Sequence, residues 1–137
     1  MKLNHKLGVF GFTLIELLVA ISIIVVLASI GAVSYSKANQ SSRNSRRQAD
    51  IEQVRAALEI YRADNPGYPD DPTTGDLSAI NGISGYLAGS SSIVDPLDAS
   101  PYVYSYSVSG CTTDCTDYVI TYYLEPDPGT LRTVTNP

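Results

Sequence analysis

Glu16 is the residue whose type and position most demand a chemical explanation. It is the only charged side chain in residues 12–33, FTLIELLVAISIIVVLASIGAV. A carboxylate near the centre of a membrane helix costs roughly 2–4 kcal/mol, and less near an end. It calls for a partner cation or a task. Cys111 and Cys115 are the two thiols, set in GCTTDCT. In an exported domain that spacing suits a local disulfide, closing a loop too short to add much entropic stability. Two cysteines and His5 do not supply the four N/S ligands of a structural zinc site. No Ser/His/Asp or Cys/His arrangement can be built, because His5 is the sole histidine and lies near the start. No glycine-rich phosphate loop is present either. We therefore expect no catalytic residue, no cofactor and no metal. Asp95, Asp98, Asp114 and Asp117 could offer oxygens to calcium, but not at EF-hand spacing, and solubilising loop carboxylates are the plainer reading.

The element that positions Glu16 is an apolar run of helix-spanning length, since ~20 apolar residues cross a bilayer. Lys2, His5 and Lys6 precede it. A cleaved secretory signal would have a shorter apolar stretch and a small-x-small site at its end, and neither fits well here. A plain signal anchor explains the hydrophobicity but not Glu16, nor the sharp boundary at Gly11-Phe12. From Asp64 onward there are ten Asp/Glu and one basic residue, Arg132. That acidity argues against a nucleic-acid surface. The length of 137 residues allows one modest domain plus an anchor.

Gly11-Phe12-Thr13-Leu14-Ile15-Glu16-Leu17-Leu18-Val19 resembles the class III signal of type IV pilins and pseudopilins. The resemblance implies cleavage by a membrane peptidase between Gly11 and Phe12, and N-methylation of Phe12. It also implies that Glu16 pairs with the Phe12 ammonium of a neighbouring subunit during filament assembly. An intramolecular pair, or a protonated Glu16 in lipid, stays open as an alternative. The implied leader is cytoplasmic, although Lys37, Arg43, Arg46 and Arg47 behind the span argue for the opposite orientation by charge count. A second stretch, Ala57, Leu58, Glu59, Tyr61, Asp64, Asn65, Gly67, Tyr68 and Pro69, is similar to the helix end of major type II secretion pseudopilins and of small bacterial type IV pilins, with Pro66 inserted. Many relatives carry a proline within the membrane half; this chain has only Gly31 as a weak point there.

No proline occurs before Pro66, and residues 34–64 have helix-friendly composition. Ile51, Val54, Leu58 and Tyr61 form one apolar stripe. Asn65-Pro66-Gly67 should end the helix. At about 1.5 Å per residue, a helix from Phe12 to Asp64 would be ~80 Å long. The basic stretch Ser41–Arg47 reads either as a contact with phospholipid headgroups and then acidic neighbours, or as a solvated face. Residues 70–92 read as loop, with a short helix near Leu77–Ile80 and a turn near Gly85–Ala88. Tyr102–Ser109 and Tyr118–Leu124 alternate as strands, joined by the cysteine hairpin, and Thr130–Thr135 reads as an edge strand. The strand tyrosines read as half-buried rings with wet hydroxyls.

The expected fold is α+β: a long N-terminal helix packed against a small antiparallel sheet. The expected domains are a cleaved leader (1–11), a transmembrane and filament-core helix (12–35), an amphipathic helix (36–64) and a small acidic extracytoplasmic domain (65–137). The resemblance implies a structural subunit of a type IV pilus. Its partners would be further copies of itself, a prepilin peptidase, the assembly machinery and the inner membrane before assembly, with no nucleic acid. The filament would then be extracellular or periplasmic. A major pseudopilin of type II secretion is the nearer alternative. A minor pilin acting as a binding module, for adhesion or DNA uptake, is an alternative of another class.

Overall fold

A computed structural model describes residues 11–89, 92–126 and 130–137. The leader readings on Lys2, His5 and Lys6 lie outside the described residues. The chain divides into two compact units, Met1–Ala38 and Asn39–Pro137. Helix α1, Leu14–Asp64, runs unbroken for 51 residues. Gly31 does not interrupt it, and neither does the Ser/Arg stretch at 41–47.

In the first unit every described side chain from Phe12 to Val33 is exposed, and α1 is long and apolar enough there to cross a membrane. A helix that is hydrophobic on all sides has no soluble face.

In the second unit α1 becomes amphipathic. Ile51, Val54, Ala57 and Leu58 are buried, and Tyr61 is half-buried at the end of the same stripe. The helix stops at Asp64, where the Asn65 side-chain amide donates to the Tyr61 carbonyl at 2.8 Å. That bond satisfies one of the carbonyls a helix end leaves without a partner.

The sheet is a meander of β1 (Thr73–Gly75), β2 (Tyr104–Ser109), β3 (Asp117–Tyr123) and β4 (Leu131–Thr135), with every neighbouring pair antiparallel. Strand β1 falls where the sequence reads as loop. Three residues, TTG, are too short to show a period. Between β1 and β2 lie two 3-10 turns, Leu77–Ala79 and Ile83–Gly85. Asp76 caps the first of them. Its carboxylate accepts from the Ser78 amide and the Ile93 amide, each at 2.9 Å, tying the loop to itself. Burial raises the Asp76 pKa, but bonds from Ser78, Ser92 and Ile93 outweigh it and hold the carboxyl at about 2.

Tyr104 and Tyr106 of β2 and Tyr118, Ile120 and Tyr122 of β3 face inward, on alternate positions. They join the buried α1 residues and Leu77, Ile80, Ile83 and Ile93 in one core. Each fully buried Leu or Ile contributes roughly 1.5–3 kcal/mol. Contrary to the sequence reading, four of the tyrosine hydroxyls, those of Tyr68, Tyr104, Tyr106 and Tyr118, bond to protein acceptors. Tyr104 donates to Asp50 at 3.0 Å, Tyr106 to the Pro69 carbonyl at 3.0 Å, and Tyr68 and Tyr118 to Glu59 at 3.1 and 3.3 Å. The rings are large enough to cross the core, so their polar ends reach groups on α1 and on the Pro69 backbone.

Candidate functional site: the helix start and the buried ion pairs

Two places concentrate polar chemistry, one in each unit. At the start of α1, Gly11, Phe12 and Thr13 are exposed and not helical. Thr13 stands immediately before the first helical residue, with Glu16 three positions on. The Glu16 Oε2 accepts the Thr13 amide at 2.9 Å and the Thr13 hydroxyl at 2.7 Å. In return the Glu16 amide donates to Thr13 Oγ1 at 3.3 Å. This is a capping box, in which two otherwise unpaired backbone donors are satisfied reciprocally. The pattern Thr-x-x-Glu that signals this box is legible in the sequence at Thr13 and Glu16. Both local bonds land on one carboxylate oxygen, leaving Oε1 open to another donor among the described residues.

In the second unit, Arg47 is fully buried, with Asp95 2% exposed. The Arg47 guanidinium grips Asp95 with both arms, Nε to Oδ2 at 2.6 Å and Nη2 to Oδ1 at 2.9 Å. Its Nη1 donates to Glu125 Oε1 and to Asn44 Oδ1, each at 2.8 Å. Arg43 grips the same Glu125 through Nε, at 2.7 Å, and Nη2. The Asn44 side chain pairs with the Glu125 backbone, its Nδ2 donating to the carbonyl at 2.8 Å and its Oδ1 accepting from the amide at 3.1 Å. Arg47 also lies 5.0 Å from the centre of the Tyr102 ring. One turn of α1 thereby holds the loop before β2, at Asp95, and the loop after β3, at Glu125. Burial disfavours the Arg47 cation, but the bonds to Asp95 and Glu125 outweigh it and raise its pKa. Glu125 is held down at about 2, first by the Arg43 bond and then, against some burial, by Arg47.

This lattice corrects the sequence reading of Ser41–Arg47. Arg47 is buried and Arg43, half-buried, is engaged by Glu125; of the three only Arg46 is well exposed, 3.8 Å from Asp50. The partners are 48 and 78 residues away in sequence, beyond any local pattern. Asp95 is likewise taken up by Arg47 and by the Leu97 amide at 2.9 Å, which removes it from a calcium set with Asp98, Asp114 and Asp117.

Cys111 and Cys115 are joined by a disulfide. Cys115 is docked on the chain just past α1: its carbonyl accepts from the Tyr68 amide at 2.9 Å. Gly67 leaves no room for a side chain, since a Cβ there would lie 2.7 Å from the Cys115 oxygen. Gly110, at φ +67°, makes the turn into the loop.

Residues 8–32 match the family model of the prokaryotic N-terminal methylation motif, the signature of type IV pilins and pseudopilins. No curated protein and no solved structure matches the chain. The motif points to a structural protein anchored in a membrane by its apolar helix.

Proposed function

With the methylation motif as premise, we propose that this chain is a structural subunit of a type IV pilus, cut between Gly11 and Phe12 by a prepilin peptidase and polymerised through its N-terminal helix. The observation that carries the proposal is the coincidence of that motif with a helix surface that is apolar on every side. Inserted in a bilayer, that surface is satisfied by lipid; out of it, only packing against other copies keeps it from water.

Cleavage would convert the Phe12 amide nitrogen into an ammonium, which methylation leaves charged. Glu16 then has two tasks that need not compete. Oε2 continues to cap α1 through Thr13. Oε1 accepts the Phe12 ammonium of a neighbouring copy, which neutralises the intramembrane charge. A subunit that fails to bring an ammonium within reach leaves that carboxylate uncompensated, so the pair selects the subunit offset. The acidic globular part stays outside the cytoplasm, and Cys111–Cys115 forms on export.

Glu16→Gln separates the two tasks. Glutamine at this position still completes a capping box, but it carries no charge. The expected result is normal insertion, normal cleavage after Gly11 by mass, and loss of surface filaments in electron micrographs. Undiminished filaments in Glu16→Gln would remove the pairing role. A chain that keeps residues 1–11 in its mature mass would remove the processing reading. Filaments confined to the periplasm would assign the chain to a secretion pseudopilus instead.

A further inference from the structure

The two sulfurs of the disulfide hairpin differ in access. Cys111 is exposed, as are Gly110, Thr112, Thr113 and Asp114 around it, whereas Cys115 is 2% exposed and belongs to the core. The Asp70 carboxylate lies within 4.8 Å of both sulfurs. We propose that Cys111 is a thiol–disulfide exchange site, the one sulfur of the pair that an external thiol reaches, and that Asp70 makes it select neutral or cationic thiols over anionic ones.

Exchange proceeds by attack of a thiolate on one disulfide sulfur with expulsion of the other, so access decides which sulfur is attacked. An incoming sulfur meets Cys111 in a run of exposed residues. Attack on Cys115 would require it to enter the packed side of the hairpin. There the Tyr68 amide holds the Cys115 carbonyl at 2.9 Å, and even a methyl on Gly67 would lie 2.9 Å from the Cys115 nitrogen. The Tyr68 ring packs edge to face on Tyr118 at 4.7 Å. Arg62 and Asn136 both donate to the Thr116 carbonyl, at 3.3 and 3.4 Å. None of these contacts involves sulfur, so opening the S–S bond leaves Cys115 docked.

The step balances without net oxidation. The external thiol loses its proton to solvent and attacks Cys111 Sγ as a thiolate. A bond forms between its sulfur and Cys111, and the Cys111–Cys115 bond breaks. The electron pair of that bond leaves with Cys115 Sγ, which takes up one proton. In reverse, the Cys115 thiolate attacks the mixed disulfide at Cys111 and expels the external thiol. An oxidising partner in an exported compartment would close the hairpin by the same route, joining the exposed Cys111 first and being displaced by Cys115.

Charge sets which thiols succeed. The attacking sulfur is already an anion, and a second negative charge on the reagent must also approach Asp70. Two unit charges 4.8 Å apart in water interact strongly enough to change a rate about fourfold. Asp114 lines the same polar cleft as Asp70 and Cys115, and among the described residues neither aspartate is held in an ion pair.

The test uses the full chain in detergent, with cysteamine as the cationic thiol and mercaptoethanesulfonate as the anionic one. Opening of the wild-type disulfide is followed by alkylation and mass spectrometry. Asp70→Asn should speed the sulfonate thiol relative to cysteamine by about fourfold, and raising the salt should narrow the same gap in the wild-type chain. The attacked sulfur is identified with single variants and the disulfide cystamine. Cys111 in Cys115→Ser should be capped at least about tenfold faster than Cys115 in Cys111→Ser, with near-ultraviolet circular dichroism of the tyrosines native in both. Equal capping of the two, or faster capping at Cys115, would overturn the site. An unchanged ratio between the two thiols in Asp70→Asn would overturn the selectivity. Should either single variant lose its tyrosine signal, the wild-type and Asp70→Asn rates still decide, and a wild-type disulfide that opens only as that signal collapses would overturn the proposal.

Discussion

Replacing Arg47 by methionine tests whether the buried ion pairs anchor the sheet to α1. Methionine keeps the length and most of the apolar stem but removes the cation. Asp95 then stays buried with only the Leu97 amide to offset its charge. Removing one partner of a buried pair typically costs roughly 3–5 kcal/mol, because the other charge is left uncompensated. Exposed pairs such as Arg46–Asp50, at 3.8 Å, are worth only about 0–1 kcal/mol. At roughly 4–8 °C per kcal/mol for a domain of this size, Arg47→Met should lower Tm by some 12–40 °C. The assay is thermal unfolding of the full chain in detergent, followed by tyrosine circular dichroism. Arg47→Met/Asp95→Leu sharpens it. With both charges gone, a large part of the loss should return, since apolar replacement of a whole buried pair is often neutral. A Tm within about 4 °C of wild type for Arg47→Met would refute the reasoning. So would a double variant no more stable than the single one, because the penalty would then not come from the orphaned Asp95.

Acid should act on the same lattice through Glu125, whose pKa falls from 4.5 to about 2 on folding. A depressed carboxyl contributes stability that is complete above about 4.5 and is lost as pH falls towards 2, up to about 3 kcal/mol in all. Glu125→Gln should therefore flatten the acid limb of Tm against pH; an unchanged limb would assign the loss elsewhere. Gly67→Ala should cost roughly 1–3 kcal/mol by forcing the new methyl against the Cys115 backbone, read as a fall in Tm. A bulky residue at Gly11 should leave the unprocessed mass in place, whereas Gly11→Ala should still be cut; mature mass in the bulky variant would contradict the assigned cleavage point. Thr13→Val should remove the capping box and cost the start of α1 about 1 kcal/mol, seen as faster amide exchange at residues 14–17.

Much of the architecture is legible because it rests on local patterns. The unbroken span, the 51, 54, 58, 61 stripe, the Asn-Pro-Gly stop and the two alternating strands are each set by spacing or by backbone restriction within a few residues. Strand β1 escapes this kind of reading because TTG is a strand only by virtue of pairing with Tyr104–Tyr106. Helix α1 begins at Leu14 rather than Phe12, since Thr13 caps it.

The sequence by itself determined the membrane-length helix, the processing motif around Gly11 and Phe12, and the presence of one carboxylate at Glu16, because those are matters of residue type and near-neighbour order. Only the tertiary structure decided what the charges do. It turned buried Arg47 and half-buried Arg43 from a surface patch into a clamp on Asp95 and Glu125. It gave the hydroxyls of Tyr104, Tyr106 and Tyr118 acceptors on α1 and the Pro69 backbone, and set Asp70 beside a disulfide more than forty residues on. The physical reason is that a charge is stabilised by whatever opposite charge or dipole the fold brings within about 3 Å, and chain separation places no limit on that encounter.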